Sequence, residues 1–173
     1  QAAGYLQKAR NVKGAERGTE AQQGYGLIAE MFIRKGLGLP ALNPHDHPVD
    51  YDLLLPSGVK VDVKCRGGRR AFSKEYTGAD GLPREAKHNL FARQVFDPVL
   101  NADIYLFTHF RTTSDGELPG SRRDRSWFLY VCGWMSKKRA AREGVYLPPG
   151  ALTEQGSRWF TYRAHEVEIY NKN

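Results

Sequence analysis

The stretch Asp52-Leu53-Leu54-Leu55-Pro56-Ser57-Gly58-Val59-Lys60-Val61-Asp62-Val63-Lys64 decides how this chain is read. Its side chains alternate. Tyr51, Leu53, Leu55, Val59, Val61, Val63 and Cys65 fall on one face and are all apolar. Asp52, Leu54, Lys60, Asp62 and Lys64 fall on the other. A period of two marks half-buried β-strands, here at about 50–55 and 59–65. Turn length sets the register. With Pro56-Ser57-Gly58 as a three-residue loop, Leu55 faces Val59 and Asp52 faces Asp62. A loop one residue longer or shorter sets Asp52 against a valine and mixes the faces. Directly opposed residues hold their Cβ atoms ~4.5–5.5 Å apart. Two carboxylates that close repel unless a proton or a cation lies between them. A hard divalent cation such as Mg²⁺ accepts such oxygens. Lys64 projects on the same side, ~6–7 Å along the strand from Asp62. There an ammonium can neutralise a phosphate or orient water. A solvent-facing hairpin with surface Lys–Asp pairs accounts for the lysines, but poorly for an Asp opposite an Asp.

Working outward, residues 18–36 read as a helix capped by Thr19, with an apolar stripe of Leu27, Ile28, Met31 and Phe32 and a stop at Gly36. A Pro-rich loop leads to the hairpin. Residues 66–83 read as a Gly- and Arg-rich loop. A second helix is expected at about 84–100, with Leu90, Phe91, Val95 and Val99 in the core. Strands follow at 103–110 and 126–133, separated by a charged excursion at 111–126. Ser136 caps a short basic helix running to Arg142. A strand pair or strand–helix near 158–170 closes the chain. The expectation is an α/β fold with a mixed sheet covered by helices. Its 173 residues fit a single domain, with a core at about 18–133 and a C-terminal extension at about 134–173.

Composition narrows the function. Hydrophobic residues make up 40% of the chain, which excludes a disordered chain, and no apolar run approaches the ~18 residues that span a bilayer. The polar start, Gln1 to Lys13, shows no signal-peptide core. Cys65 and Cys132 sit in apolar runs and read as small buried hydrophobes, as in a reducing, cytoplasmic setting. Without a Cys-x-x-Cys or Cys/His cluster, zinc is excluded. His45-Asp46-His47 reads as polar loop, and no Gly-rich phosphate loop is present. A net charge of +7 points to a polyanionic partner.

Asp52, nine intervening residues, then Asp62-Val63-Lys64 resembles the signature of the PD-(D/E)XK nucleases, which belong to the restriction-endonuclease-like fold. The motif covers about residues 18–65, and the element order extends the likeness to about residue 133. No Pro directly precedes Asp52, Pro48 being the nearest upstream, and family members often lack that proline. The resemblance implies an αβββαβ-type core and a metal-dependent deoxyribonuclease, either an endonuclease or a junction resolvase, of restriction, recombination or phage type. It implies Asp52, Asp62 and the Val63 carbonyl as ligands for Mg²⁺, with Mn²⁺ as a substitute, and Lys64 as the catalytic lysine. The helix acid is Glu20 in preference to Glu30, because Glu20 shares the stripe of Gly24, Leu27 and Met31. DNA is the implied partner, with a homodimer where two sites must act.

Basic residues supply the expected DNA contacts: Arg66, Arg69 and Arg70 directly after Lys64, then Lys74, and Lys137, Lys138 and Arg139 on the short helix. Phe72 and Tyr76 are candidates for stacking on bases or for anchoring the loop. A non-catalytic nucleic-acid-binding domain of the same fold stands as the alternative.

Overall fold

A computed structural model describes residues 20–42, 51–68, 72–78, 80–111, 128–155, 158–162 and 164–170. The elements run α1 (Glu20–Gly36), β1 (Leu53–Leu54), β2 (Lys60–Gly68), β3 (Glu75–Thr77), β4 (Pro83–Glu85), β5 (Lys87–Phe91), α2 (Ala92–Phe96), β6 (Ile104–Arg111), β7 (Phe128–Ser136), α3 (Lys137–Glu143), β8 (Val145–Leu147), β9 (Leu152–Gln155), β10 (Arg158–Thr161) and β11 (Glu166–Tyr170). The fold is mixed α/β. The chain divides into two compact units. One takes residues up to Phe72 together with Ala102–Trp134, and the other takes Ser73–Asn101 with Met135–Asn173. The residues from Met135 onward cluster with Ser73–Asn101.

The first unit is built on a four-stranded sheet in the order β1-β2-β6-β7. β1 runs antiparallel to β2, and β2 runs parallel to β6 from Val61↔Ile104 to Gly68↔Arg111. Asp103 fixes where that parallel ladder begins. Its N–H donates to the Lys60 carbonyl, and its Oδ2 accepts from the Lys60 N–H, both at 2.8 Å. The hairpin closes as a three-residue loop. Leu55 N–H donates to the Val59 carbonyl at 2.9 Å, and Gly58 takes a φ of +83°, which glycine adopts without strain.

The buried line of α1 differs from the expected stripe. Tyr25 and Ala29 are buried and Ile33 packs on the Ala29, Leu53, Val61 and Val63 cluster, whereas Met31 is 53% exposed. The positions 25, 29 and 33 lie one turn apart and face the sheet. Gly67 explains how the helix comes so close. A Cβ there would lie 2.2 Å from the Tyr25 ring, which stacks on Phe110 with centroids 5.9 Å apart.

In the second unit, β11 lies between β5 and β8, antiparallel to both. The helix expected over 84–100 is not formed. Lys87–Phe91 is a strand paired with Glu166–Tyr170, and only Ala92–Phe96 is helical. A partner some eighty residues away overrides local helical spacing, a contest that periodicity cannot foresee. Leu90 and Val95 are buried as expected, but Val99 is 72% exposed. The expected loop at 66–83 is also partly structured: β2 continues to Gly68, and β3 pairs with β4. Ser136 caps α3 as read, accepting from the Arg139 N–H at 3.1 Å. Among the described residues, no helix is long and apolar enough to cross a membrane.

Candidate functional site

The expected register holds from Leu55 back to Leu53, but Asp52 is not directly opposite Asp62 as expected. Leu53 pairs with Val61 and Leu54 with Lys60, which continues the Leu55–Val59 pairing backwards. At Asp52 the ladder changes. The Asp52 N–H donates to the carbonyl of Val61, the residue already paired with Leu53, at 2.8 Å. Two residues on one strand thus address one on the other, as in a β-bulge. The extra residue displaces Tyr51 from the apolar line, and its ring instead meets the Lys60 ammonium at 5.6 Å. The bulge also aims the Asp52 carboxylate along β2, where Oδ2 accepts from the Val63 N–H at 2.7 Å.

Asp62 and Lys64 stand on the opposite face of β2 from the helix-packed valines. Lys64 Nζ lies 2.8 Å from Asp62 Oδ1. Asp62 is only 8% exposed. Burial pushes its carboxyl up to about 6, against the opposing pull of Lys64 and with the help of the Asp52 carboxylate, which is also its hydrogen-bond partner. The two acids are therefore neighbours. Tyr105, paired beside Asp62 on β6, is fully buried, and its hydroxyl is raised by that burial and by the Asp62 charge.

Backbone direction adds a third oxygen. In a strand, the N–H and C=O of one residue point to the same side. The Val59 and Val61 carbonyls face the hairpin partner, while the Lys60 and Lys64 carbonyls face β6, accepting from Asp103 N–H and Thr108 Oγ1. Val63 belongs to the first set, so its carbonyl points to the side where Asp52 binds its N–H. Two carboxylates and one carbonyl are a hard, all-oxygen donor set suited to Mg²⁺ completed by waters. No cluster of three or more His, Cys, Asp and Glu side chains occurs among the described residues, so this donor set depends on the backbone oxygen.

The two candidate helix acids differ in what the structure shows around them. Glu30 is 3% exposed and accepts from Arg34 Nε at 2.9 Å, while Arg34 Nη2 donates to the Asp52 carbonyl at 2.6 Å. Glu30, Arg34 and the Asp52 backbone form one chain of contacts. Glu20 opens α1, and nine residues at ~100° each put its backbone position half a turn away from the sheet-facing Ala29. With Met31 exposed, the stripe that favoured Glu20 no longer points to the sheet. The i,i+4 pairing of Glu30 with Arg34 was legible in the sequence.

The basic residues separate by environment. Arg66 pairs with His109 on the same face as Asp62 and Lys64. Arg69 and Arg70 lie outside the described residues. Lys74 is exposed in the second unit. Lys137 is not available to a phosphate, since its Nζ donates to the Asp97 and Leu100 carbonyls at 2.5 and 2.6 Å. Arg139 is paired with Glu143 at 2.7 Å, and Lys138 is exposed. Tyr76 anchors rather than stacks, its hydroxyl donating to the Glu154 carbonyl at 3.3 Å. Both cysteines are free thiols, and burial pushes Cys65 up to about 11 and Cys132 up to about 12, which leaves them unreactive.

Comparison with protein-family models, curated proteins and solved structures found no match for this chain.

Proposed function

We propose that the first unit is a Mg²⁺-dependent deoxyribonuclease of PD-(D/E)XK type. The observation that carries this reading is the apposition of Asp52 and Asp62, with Lys64 2.8 Å from Asp62. A buried acid beside a second acid is an unfavourable arrangement that a divalent cation relieves. The order of helix, hairpin and parallel strand supports a restriction-endonuclease-like core.

Asp52, Asp62 and the Val63 carbonyl would hold the metal. When bound, Mg²⁺ polarises a phosphate oxygen and lowers the pKa of a bound water. The protein's own residues do the rest. The Val63 N–H orients Asp52 through its Oδ2. Arg34, itself held by Glu30, fixes the Asp52 backbone. Lys64 places a positive charge where negative charge develops on the phosphate. Tyr105 closes the floor beside Asp62 and limits its contact with water.

The test is a cleavage panel of linear, supercoiled, single-stranded and four-way-junction DNA, with Mg²⁺, with Mn²⁺ and with EDTA. Asp62→Ala should lower metal-dependent cleavage by roughly a thousandfold, with DNA binding retained. Full activity in that variant would remove the site. Binding without cleavage in the wild type would leave a non-catalytic DNA-binding domain.

A further inference from the structure

The face of the sheet that carries Asp62 and Lys64 continues into a row of aromatic rings that the phosphodiester chemistry does not use. The ring centroids of Phe72 and His109 are 6.1 Å apart, those of His109 and Tyr130 6.1 Å, and those of Tyr130 and Phe128 6.5 Å. The Arg111 guanidinium lies 5.8 Å from the Phe128 centroid. The strand registers put these groups on one side. His109 pairs with Arg66, and Arg66 is four residues beyond Asp62 on β2, hence on the same face. Phe128 is 49% exposed, and Phe72, His109 and Tyr130 are each partly exposed. A row of aromatics that served only as core would be closed to water, as Tyr105 and Phe107 are on the same strand.

We propose that this row is a base-stacking platform and that the substrate of the site is DNA with unpaired nucleotides, bound as a single strand. The proposal rests on the nuclease reading for the chemistry, while its binding half stands without it. Unpaired bases expose π-faces that stack on aromatic rings, with arginine alongside to meet the phosphates. A duplex hides those faces within its own stack and offers only phosphates and groove edges. The charge matches, because Arg66 and Arg111 flank the rings and the chain carries a net +7. An apolar protein partner would gain nothing from that charge. The spacing also fits. Four residues at ~3.3 Å put Arg66 and its neighbour His109 about 13 Å along the sheet from Asp62, the span of roughly four stacked nucleotides at ~3.4 Å each. The stacked bases would thus sit a few nucleotides from the cleaved phosphate.

The test is equilibrium binding by fluorescence anisotropy, using the full chain in EDTA so that nothing is cut. The probes are a labelled mixed-sequence 16-nucleotide DNA strand, the same strand with its bases removed at every position, and the corresponding duplex. The intact strand should bind at least about tenfold more tightly than the abasic strand and than the duplex. Phe128→Leu and Tyr130→Leu, which keep apolar bulk but remove the ring, should each weaken strand binding by about 5- to 100-fold and leave duplex binding unchanged. Equal affinity for intact and abasic strands would overturn the proposal, and so would tighter binding of the duplex; neither result depends on a variant that must fold. Preferential strand binding by a protein that never cuts with Mg²⁺ would keep the platform and remove the nuclease. Cleavage of duplex with no dependence on bases would do the reverse.

Discussion

Asp62 with Lys64 and Glu168 with Lys87 are both carboxylates buried beside a lysine, one in each unit, and their surroundings push them in opposite directions. Glu168 is 2% exposed, so burial disfavours its charge. Bonds from Lys87, Thr153, Tyr170 and Tyr162 outweigh that burial and hold its carboxyl below the ordinary carboxylate range. Lys87 Nζ is 2.5 Å from Oε1, and the Thr153, Tyr162 and Tyr170 hydroxyls donate at 2.6, 2.8 and 2.7 Å. Asp62 has one lysine and, facing it, a second acid, and its carboxyl is raised. A buried charge surrounded by donors is a finished structural element. A buried carboxylate that faces a second acid keeps a cost that its one lysine does not cancel, and a cation would relieve it.

The widest way to break this contrast is to neutralise each acid in turn. Asp62→Asn should cost roughly a thousandfold in Mg²⁺-dependent cleavage while the metal-free protein loses no thermal stability. Glu168→Gln should do the opposite. It should leave the chemistry of surviving folded protein intact and destabilise it by ~3–5 kcal/mol, because Lys87 stays buried without its counter-charge. Steady-state cleavage and denaturant unfolding of both variants measure the two effects. Similar profiles for the two variants would erase the distinction.

A finer test uses pH. A carboxyl whose folded pKa is raised stabilises the fold below its unfolded pKa, and that contribution is lost as pH rises through the folded value. For Asp62 the window runs from about 4 up to about 6. Glu168, depressed in the fold, contributes stability that is present above its unfolded pKa and lost as pH falls through its folded pKa. In EDTA, the melting temperature of Asp62→Asn should equal that of the wild type near pH 4 and exceed it increasingly up to about pH 7. Stabilisation of the wild type by Mg²⁺ should grow over the same window, since metal and proton compete for one carboxyl. A flat difference across that range would show that burial and Asp52 do not raise the Asp62 carboxyl in the fold.

The smallest expected effect lies one contact away from the metal ligands. Glu30→Gln loosens Arg34 and with it the Asp52 backbone, and should weaken Mn²⁺ binding by about tenfold, the lower end of what supporting residues contribute. Glu20→Gln should leave it unchanged. Calorimetric titration of both variants separates the two helix acids, and the reverse result would restore Glu20.

The hairpin was readable because strand alternation and turn length are local. Seven apolar residues on one side and a Pro-Ser-Gly turn admit one register, and the Leu53–Val61 and Leu55–Val59 pairings follow it. The neighbouring acids follow from that register, as does the Ser136 cap from its own four residues. The helix face was half readable. Its end at Gly36 was correct, its start and the Thr19 cap lie outside the described residues, and Tyr25 rather than Met31 faces the sheet, because the space for a large ring is created by Gly67, some forty positions away. The aromatic row was missed for a related reason. Phe72, His109 and Phe128 look unrelated along the chain and become neighbours only when β6 and β7 lie side by side.

What the sequence determined by itself is the Leu53–Val61 and Leu55–Val59 register that brings Asp52 and Asp62 close, with Lys64 beside them, since a hairpin's geometry depends on the dozen residues that form it. What tertiary structure alone decided is that Glu30 is buried and linked through Arg34 to the Asp52 carbonyl, that 87–91 is a strand, and that the C-terminal residues cluster with 73–101. Each of these depends on a partner distant in sequence, and the energy of a long-range ladder or a buried face exceeds the local preferences that a linear reading can weigh.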